Sequence, residues 1–97
     1  MAYDPNNVFA KILRGEVPSA KVHEDDAVLA FKDMHPAAAV HVLVVPKGEY
    51  VSFRDFAEKA DADTVAAFFK TVGKIAADLG LAEGGYRLIT NHGPDAS

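Results

Sequence analysis

Between Asp61 and Gly80 the apolar residues recur with the period of a helix: Val65, Phe68, Phe69, Val72, Ile75, Ala76 and Leu79 fall on one stripe. Asp61 can cap the start, and Gly80 suits the left-handed position past the end, with Leu81 folding back as the accompanying apolar contact. Such a stripe has to be buried. The rest of the chain offers short segments of period two rather than a second long helix, so one helix covering a small sheet is the expected arrangement.

The strand segments follow from alternation. Lys21–Glu24 and Ala27–Asp33 read as a hairpin turned at Asp25-Asp26. Leu29, Phe31 and Asp33 then share one face, and Val28, Ala30 and Lys32 the other. HVLVVPK (His41–Lys47) is a β-branched strand that Pro46 terminates, with His41 on the face of Leu43 and Val45. Gly84-Gly85 turns the chain into a last predicted strand, Tyr86–Thr90. Ahead of the hairpin, Val8, Phe9, Ile12 and Leu13 at helical spacing predict a short helix with Asp4 as cap, Pro5 in the first turn and Gly15 at its end. Pro18 holds Val17 extended in the connector that follows. The order helix, hairpin, strand, long helix, strand is an α+β domain with a mostly antiparallel sheet.

Ninety-seven residues suffice for one domain. A formal charge of −4 argues against wrapping a nucleic-acid backbone, and leaves room for one small phosphorylated ligand. The absence of cysteine excludes disulfides and thiolate metal sites. None of the histidines His23, His35, His41 and His92 stands at metal-ligand spacing from another. MAYDPNN lacks the basic and apolar regions of a signal peptide, and apolar runs such as Val42–Pro46 are far too short for a bilayer, so a cytoplasmic protein without membrane contact is expected. Asn91–Asp95 is rich in turn-forming residues, which bring backbone amides close to an anion. Read alone, the residues predict a small α+β domain with an anion loop near Asn91.

The blocks FAKILRGEVP (Phe9–Pro18), HEDDAVLAFKDMHP (His23–Pro36), AAAVHVLVVPK (Ala37–Lys47), AADLGL (Ala76–Leu81) and YRLITNHG (Tyr86–Gly93) carry more information in their order and spacing. Together they resemble the histidine triad (HIT) family, in its nucleotide-binding, phosphoramidase-like branch, from Phe9 onward. The resemblance implies a HIT-like fold with one long helix and a short N-terminal helix. The family's signature is three histidines alternating with apolar residues, H-φ-H-φ-H, on a strand after an Asn-x-Gly loop. These 97 residues do not contain it. The expectation is thus a single, C-terminally incomplete domain over 1–97, lacking the triad strand and ending within what resembles an α-phosphate loop.

The resemblance also implies a purine nucleotide or nucleoside as ligand. Phe31 would line the base pocket, and Asp33 would accept from both ribose hydroxyls, for which a carboxylate's two acceptor oxygens are well suited. Without the resemblance, Phe31 reads as core and Asp33 as a strand-end turn residue. Phe9, Ile12, Val17 and Met34 fall where relatives touch base or ribose, with core packing as their other reading. Apolar contacts of this kind discriminate bases poorly, so purine preference is the most that is expected. His41 would support the triad, its other reading being a satisfied strand-end histidine. Asn91 would lie near the phosphate, and Asn-x-Gly-Pro is also good turn chemistry. His23, His35 and His92 receive no role. Some bacterial relatives hold zinc through Cys-x-x-Cys; here those positions are Asn7 and Ala10, so no metal and no cofactor is implied.

Three functions follow as expectations. The first is a hydrolase or nucleotidyl transferase acting on nucleoside phosphoramidates or dinucleoside polyphosphates through a nucleotidyl-histidine, with the nucleophile supplied by the triad and His41 only supporting it. The second is a non-catalytic nucleotide-binding or partner-binding dimer, and the third an inactive fragment. The resemblance further implies a homodimer joined through the long helix and the Tyr86–Thr90 strand.

Overall fold

The computed structural model describes residues 3–17, 19–34, 36 and 38–96; Pro18, on which the extended connector was argued, and the unassigned His35 lie outside them. Residues 4–49 form one compact unit and residues 50–96 belong to a second.

In the first unit, helix α1 spans Val8–Leu13. Its cap is Asn7 rather than the expected Asp4: the Asn7 side chain accepts from the Ala10 N–H at 2.9 Å. Asp4 caps the preceding turn instead, accepting from the Asn6 N–H at 2.9 Å. Three cap-competent residues, Asp4, Asn6 and Asn7, lie within one turn, and the last of them sets where the helix begins. Gly15, with φ +78°, turns the chain away, a conformation that a side chain would strain.

Three strands follow: β1 Lys21–Glu24, β2 Val28–Lys32 and β3 Val42–Pro46. They form one antiparallel sheet in that order. Of the predicted strands, Lys21–Glu24 keeps its bounds, and Ala27–Asp33 and His41–Lys47 are each one residue shorter at both ends. β2 and β3 pair Leu29 with Val45 and Phe31 with Leu43. These alternate residues share a face, and on it Ile12, Leu29 and Phe31 make the core cluster, with Leu13, Val17, Leu43 and Val45 packed against it. The central strand is buried along Val28–Phe31. The register of β1 against β2 shifts between Lys21 and His23.

The hairpin turn is held by one carboxylate. Asp25 Oδ1 accepts from the Ala27 and Val28 N–H groups at 2.8 Å each, and Oδ2 lies 2.7 Å from His23 Nε2. The His23 contact first, and the Ala27 amide next, hold the Asp25 carboxyl below its ordinary value of 3.8. A folded-state value below the unfolded one stabilises at pH above 3.8 and is lost as pH falls through the lower folded value. Asp25→Ala is therefore expected to cost about 0.5–1.5 kcal/mol near neutrality, the net worth of an intramolecular hydrogen bond. Thermal melts of both proteins across pH should converge in acid, and a cost unchanged between pH 7 and the acid limit would contradict this.

In the second unit, helix α2 spans Phe53–Lys59, which the sequence reading did not anticipate. Ser52 Oγ accepts from the Asp55 N–H at 3.3 Å and Asp55 Oδ2 from the Val51 N–H at 2.9 Å, a reciprocal start that fixes the first turn. Phe56 is buried, stacking edge-on with Tyr50 at 5.0 Å and leaning on Phe68 at 5.2 Å. Helix α3, Ala62–Asp78, begins at the predicted cap: Asp61 Oδ1 accepts from the Thr64 N–H at 2.7 Å. Of its stripe, Val72, Ile75 and Ala76 are buried, whereas Phe69 and Leu79 remain exposed at the margins. Gly80 takes the left-handed conformation at φ +74° as predicted. The chain then winds a further turn, α4 Leu81–Gly84.

The predicted strand Tyr86–Thr90 is not formed. Those residues have no regular structure, and Tyr86, Leu88 and Ile89 are 52, 62 and 68% exposed. β-propensity measures fit to a paired, half-buried surface, and no described residue hydrogen-bonds to this segment as a neighbouring strand. No helix among the described residues is long and apolar enough to cross a membrane.

Candidate functional site

β2 ends at Lys32, and the antiparallel ladder runs one step further: the Asp33 N–H donates to the His41 carbonyl at 3.0 Å. Pairing Lys32 with Val42 makes Asp33 and His41 the next cross-strand pair. Their side chains meet, with His41 Nε2 3.3 Å from Asp33 Oδ2. Both are partly exposed, Asp33 at 22% and His41 at 32% of the side chain. Period two puts Asp33 on the face of Phe31, and His41 on the face of Leu43. One face of this sheet thus presents a carboxylate and an imidazole where β2 ends and β3 begins, next to the apolar cluster of Ile12, Phe31 and Val17.

The residues singled out in the sequence fall into three groups. Ile12, Val17 and Phe31 come together, with Phe31 only 5% exposed and serving as core. Asp33 and His41 come together as the pair just described. Phe9, on α1, and Met34, just after β2, are exposed at 44 and 83%. Asn91 is exposed, in the unit formed by residues 50–96. Gly93 beside it has φ +80°, the conformation that an Asn-x-Gly turn calls for. The sequence reading did not foresee the Asp33–His41 contact itself. Its signal was present, since each residue stands two positions from a core residue of adjoining strands, but only the register brings the two level.

A second charged group borders the sheet. Glu24 accepts from Lys21 at 2.8 Å and from Lys47 at 2.9 Å, and these two ammonium groups lower its carboxyl below the ordinary value. Exposed pairs of this kind contribute little to stability. Among the described residues no three His, Asp or Glu side chains gather as a metal ion would need.

The HIT domain matches residues 14–97. A HIT-like protein of Azospirillum brasilense is 52% identical over 95 residues, which is 98% of this chain and 78% of that one. Among solved structures, a HIT family hydrolase from Clostridium thermocellum is 45% identical, covers 94% of this chain and 78% of its own, and superposes with a TM-score of 0.82. A histidine triad nucleotide-binding protein from Candida albicans is 30% identical over 92% of this chain and 64% of its own, with a TM-score of 0.79. The chain belongs to the HIT family. Its α+β architecture, a three-stranded antiparallel sheet with helices, is the HIT fold as far as these residues extend.

Proposed function

We propose that this chain is the nucleoside-binding portion of a HIT hydrolase or nucleotidyl transferase whose substrate is a purine nucleoside phosphoramidate or dinucleoside polyphosphate. The observation that carries the reading is the Asp33 carboxylate just past the end of the central strand, on the face of Phe31 and beside the cluster formed with Ile12 and Val17. A nucleoside offers the complement: a flat apolar base, and a vicinal diol whose two O–H groups can both donate to one carboxylate. Phe9 and Met34, both exposed, supply further apolar surface for the base. Asn91 and the positive-φ Gly93 belong to the loop that would approach the α-phosphate.

Chemistry on that phosphate requires a nucleophile. In this reading the middle histidine of an H-φ-H-φ-H strand attacks the α-phosphorus: a P–N bond to the histidine forms while the substrate's P–N bond breaks and the amine leaves with a proton, or the phosphoanhydride P–O bond breaks and a nucleoside phosphate leaves. Water then attacks phosphorus, breaks the P–N bond and releases the nucleotide. Donors near the phosphoryl oxygens stabilise the developing charge. His41 supports and the triad reacts. A cytoplasmic location is part of the same proposal.

The test is the diol. In a protein that also carries the triad strand, Asp33→Ala is expected to cost a ribonucleotide about 1.5–3 kcal/mol, the range for hydrogen bonds to a charged group. It should cost the 2′,3′-dideoxy analogue almost nothing. Equal losses measured by titration calorimetry would remove Asp33 from the ribose.

The same reading includes a homodimer. Tyr86, Leu88 and Ile89 are exposed, and Arg87 is the single charged residue among Tyr86–Thr90, a segment suited to pairing with another strand. Sedimentation is expected to give twice the chain mass at micromolar concentration. A folded monomer across that range would refute the dimer.

A further inference from the structure

We infer that Asp33 and His41 act as one unit, in which His41 is a positioning residue for the carboxylate that reads the ribose and Asp33 in turn fixes the proton on the His41 ring. The inference rests on the ribose reading of Asp33 above and adds a partner to it. The geometry starts from the backbone: the Asp33 N–H to His41 carbonyl bond, 3.0 Å, locks the two residues level across β2 and β3. Their side chains leave the same face, and Nε2 stands 3.3 Å from Oδ2.

Chemistry then limits the arrangement. An ionised carboxylate only accepts, so the ring nitrogen facing it carries the proton. In the neutral ring this makes Nε2 the donor and Nδ1 the acceptor, the way a carboxylate selects the tautomer of a catalytic histidine. The carboxylate gains as well. A strand-end Asp has a broad terminal torsion, and a donor held by the neighbouring strand narrows it before any ligand arrives. A diol meeting a carboxylate already turned toward it loses less in ordering the site. Loss of His41 should therefore weaken recognition of the ribose hydroxyls selectively, which a purely structural role in the sheet would not do.

The test compares adenosine monophosphate with its 2′,3′-dideoxy form, titrated by NMR into the full chain and into three variants, His41→Ala, His41→Gln and Asp33→Ala. The chain itself should prefer the ribonucleotide. His41→Ala should reduce that preference about fivefold, the equivalent of one ordinary hydrogen bond. His41→Gln, whose amide N–H can replace the Nε2 donor, should restore most of it. Separately, nitrogen-15 spectra of the imidazoles should show His41 protonated at Nε2 near neutral pH, and Asp33→Ala should redistribute the proton between the two nitrogens. An unchanged ribose preference in His41→Ala overturns the coupling while leaving the ribose reading intact, as does an Nε2 signature that persists in Asp33→Ala. No preference for the ribonucleotide in the unmodified chain, or no binding of either ligand, overturns both.

Discussion

The 97 residues alone are expected to release no amine from an adenosine phosphoramidate, whereas a polypeptide that continues them through an H-φ-H-φ-H strand is expected to turn it over. Enzymes accelerate such displacements by at least about a millionfold over water, and a covalent route needs an activated nucleophile at phosphorus. There is no cysteine to supply one. The His23 ring is engaged by Asp25 in the hairpin turn, at 2.7 Å. The His41 ring faces Asp33. His92 is exposed beside the Asn91 turn, with nothing in the sequence to align it with a base. Turnover followed by phosphorus NMR should therefore appear only in the extended polypeptide. Amide exchange in Tyr86–Thr90 should slow in the same protein, because the added strand would give those amides a ladder partner. Equal turnover by the two polypeptides would refute the assignment of the nucleophile.

The second large effect is on stability. Leu29 is fully buried at the centre of β2, level with Glu24 on β1 and Val45 on β3, and packs with Ile12 and Phe31. Leu29→Ala is expected to cost about 2–5 kcal/mol, the lost transfer energy of the side chain plus that of the cavity left behind. Met34→Ala, at a side chain 83% exposed, should change stability by less than about 0.5 kcal/mol. Amide exchange on β1–β3 is the appropriate readout, since it reports the sheet independently of residues 50–96. Comparable exchange rates in the two variants would mean that the cluster around Leu29 does not hold the sheet.

Much of this architecture was legible from residue pattern. Asp61 and Gly80 delimit α3 because each terminus carries a residue whose chemistry suits it, and the hairpin at Asp25-Asp26 was readable for the same reason. Helix α2 was missed although Ser52-x-x-Asp55 announces it, because a seven-residue helix buries a single side chain, Phe56, and shows no stripe. Tyr86–Thr90 failed for the opposite reason. Its composition suits a strand, but strand formation depends on a partner and not on the segment itself. The candidate site divides along the same line. Phe31 and Asp33 were placed on one face by counting, whereas the meeting of Asp33 with His41 depends on how two strands align, and seven intervening residues leave that open.

The alignment has a consequence for how such a protein can be rewritten. Because the pairs Leu29–Val45 and Phe31–Leu43 fix β3 against β2, the position of His41 is counted back from Leu43 and owes nothing to the path of residues 34–40. That connector is open to lengthening, shortening or replacement with segments from other proteins, and the imidazole will still arrive opposite the carboxylate. A single residue inserted between His41 and Leu43 is another matter. It would reverse the imidazole to the far side of the sheet while leaving the composition and the apolar pairs intact. Tolerance to insertion should thus change sharply between adjacent positions, and a scan across residues 34–43 would trace the boundary between spacer and ruler.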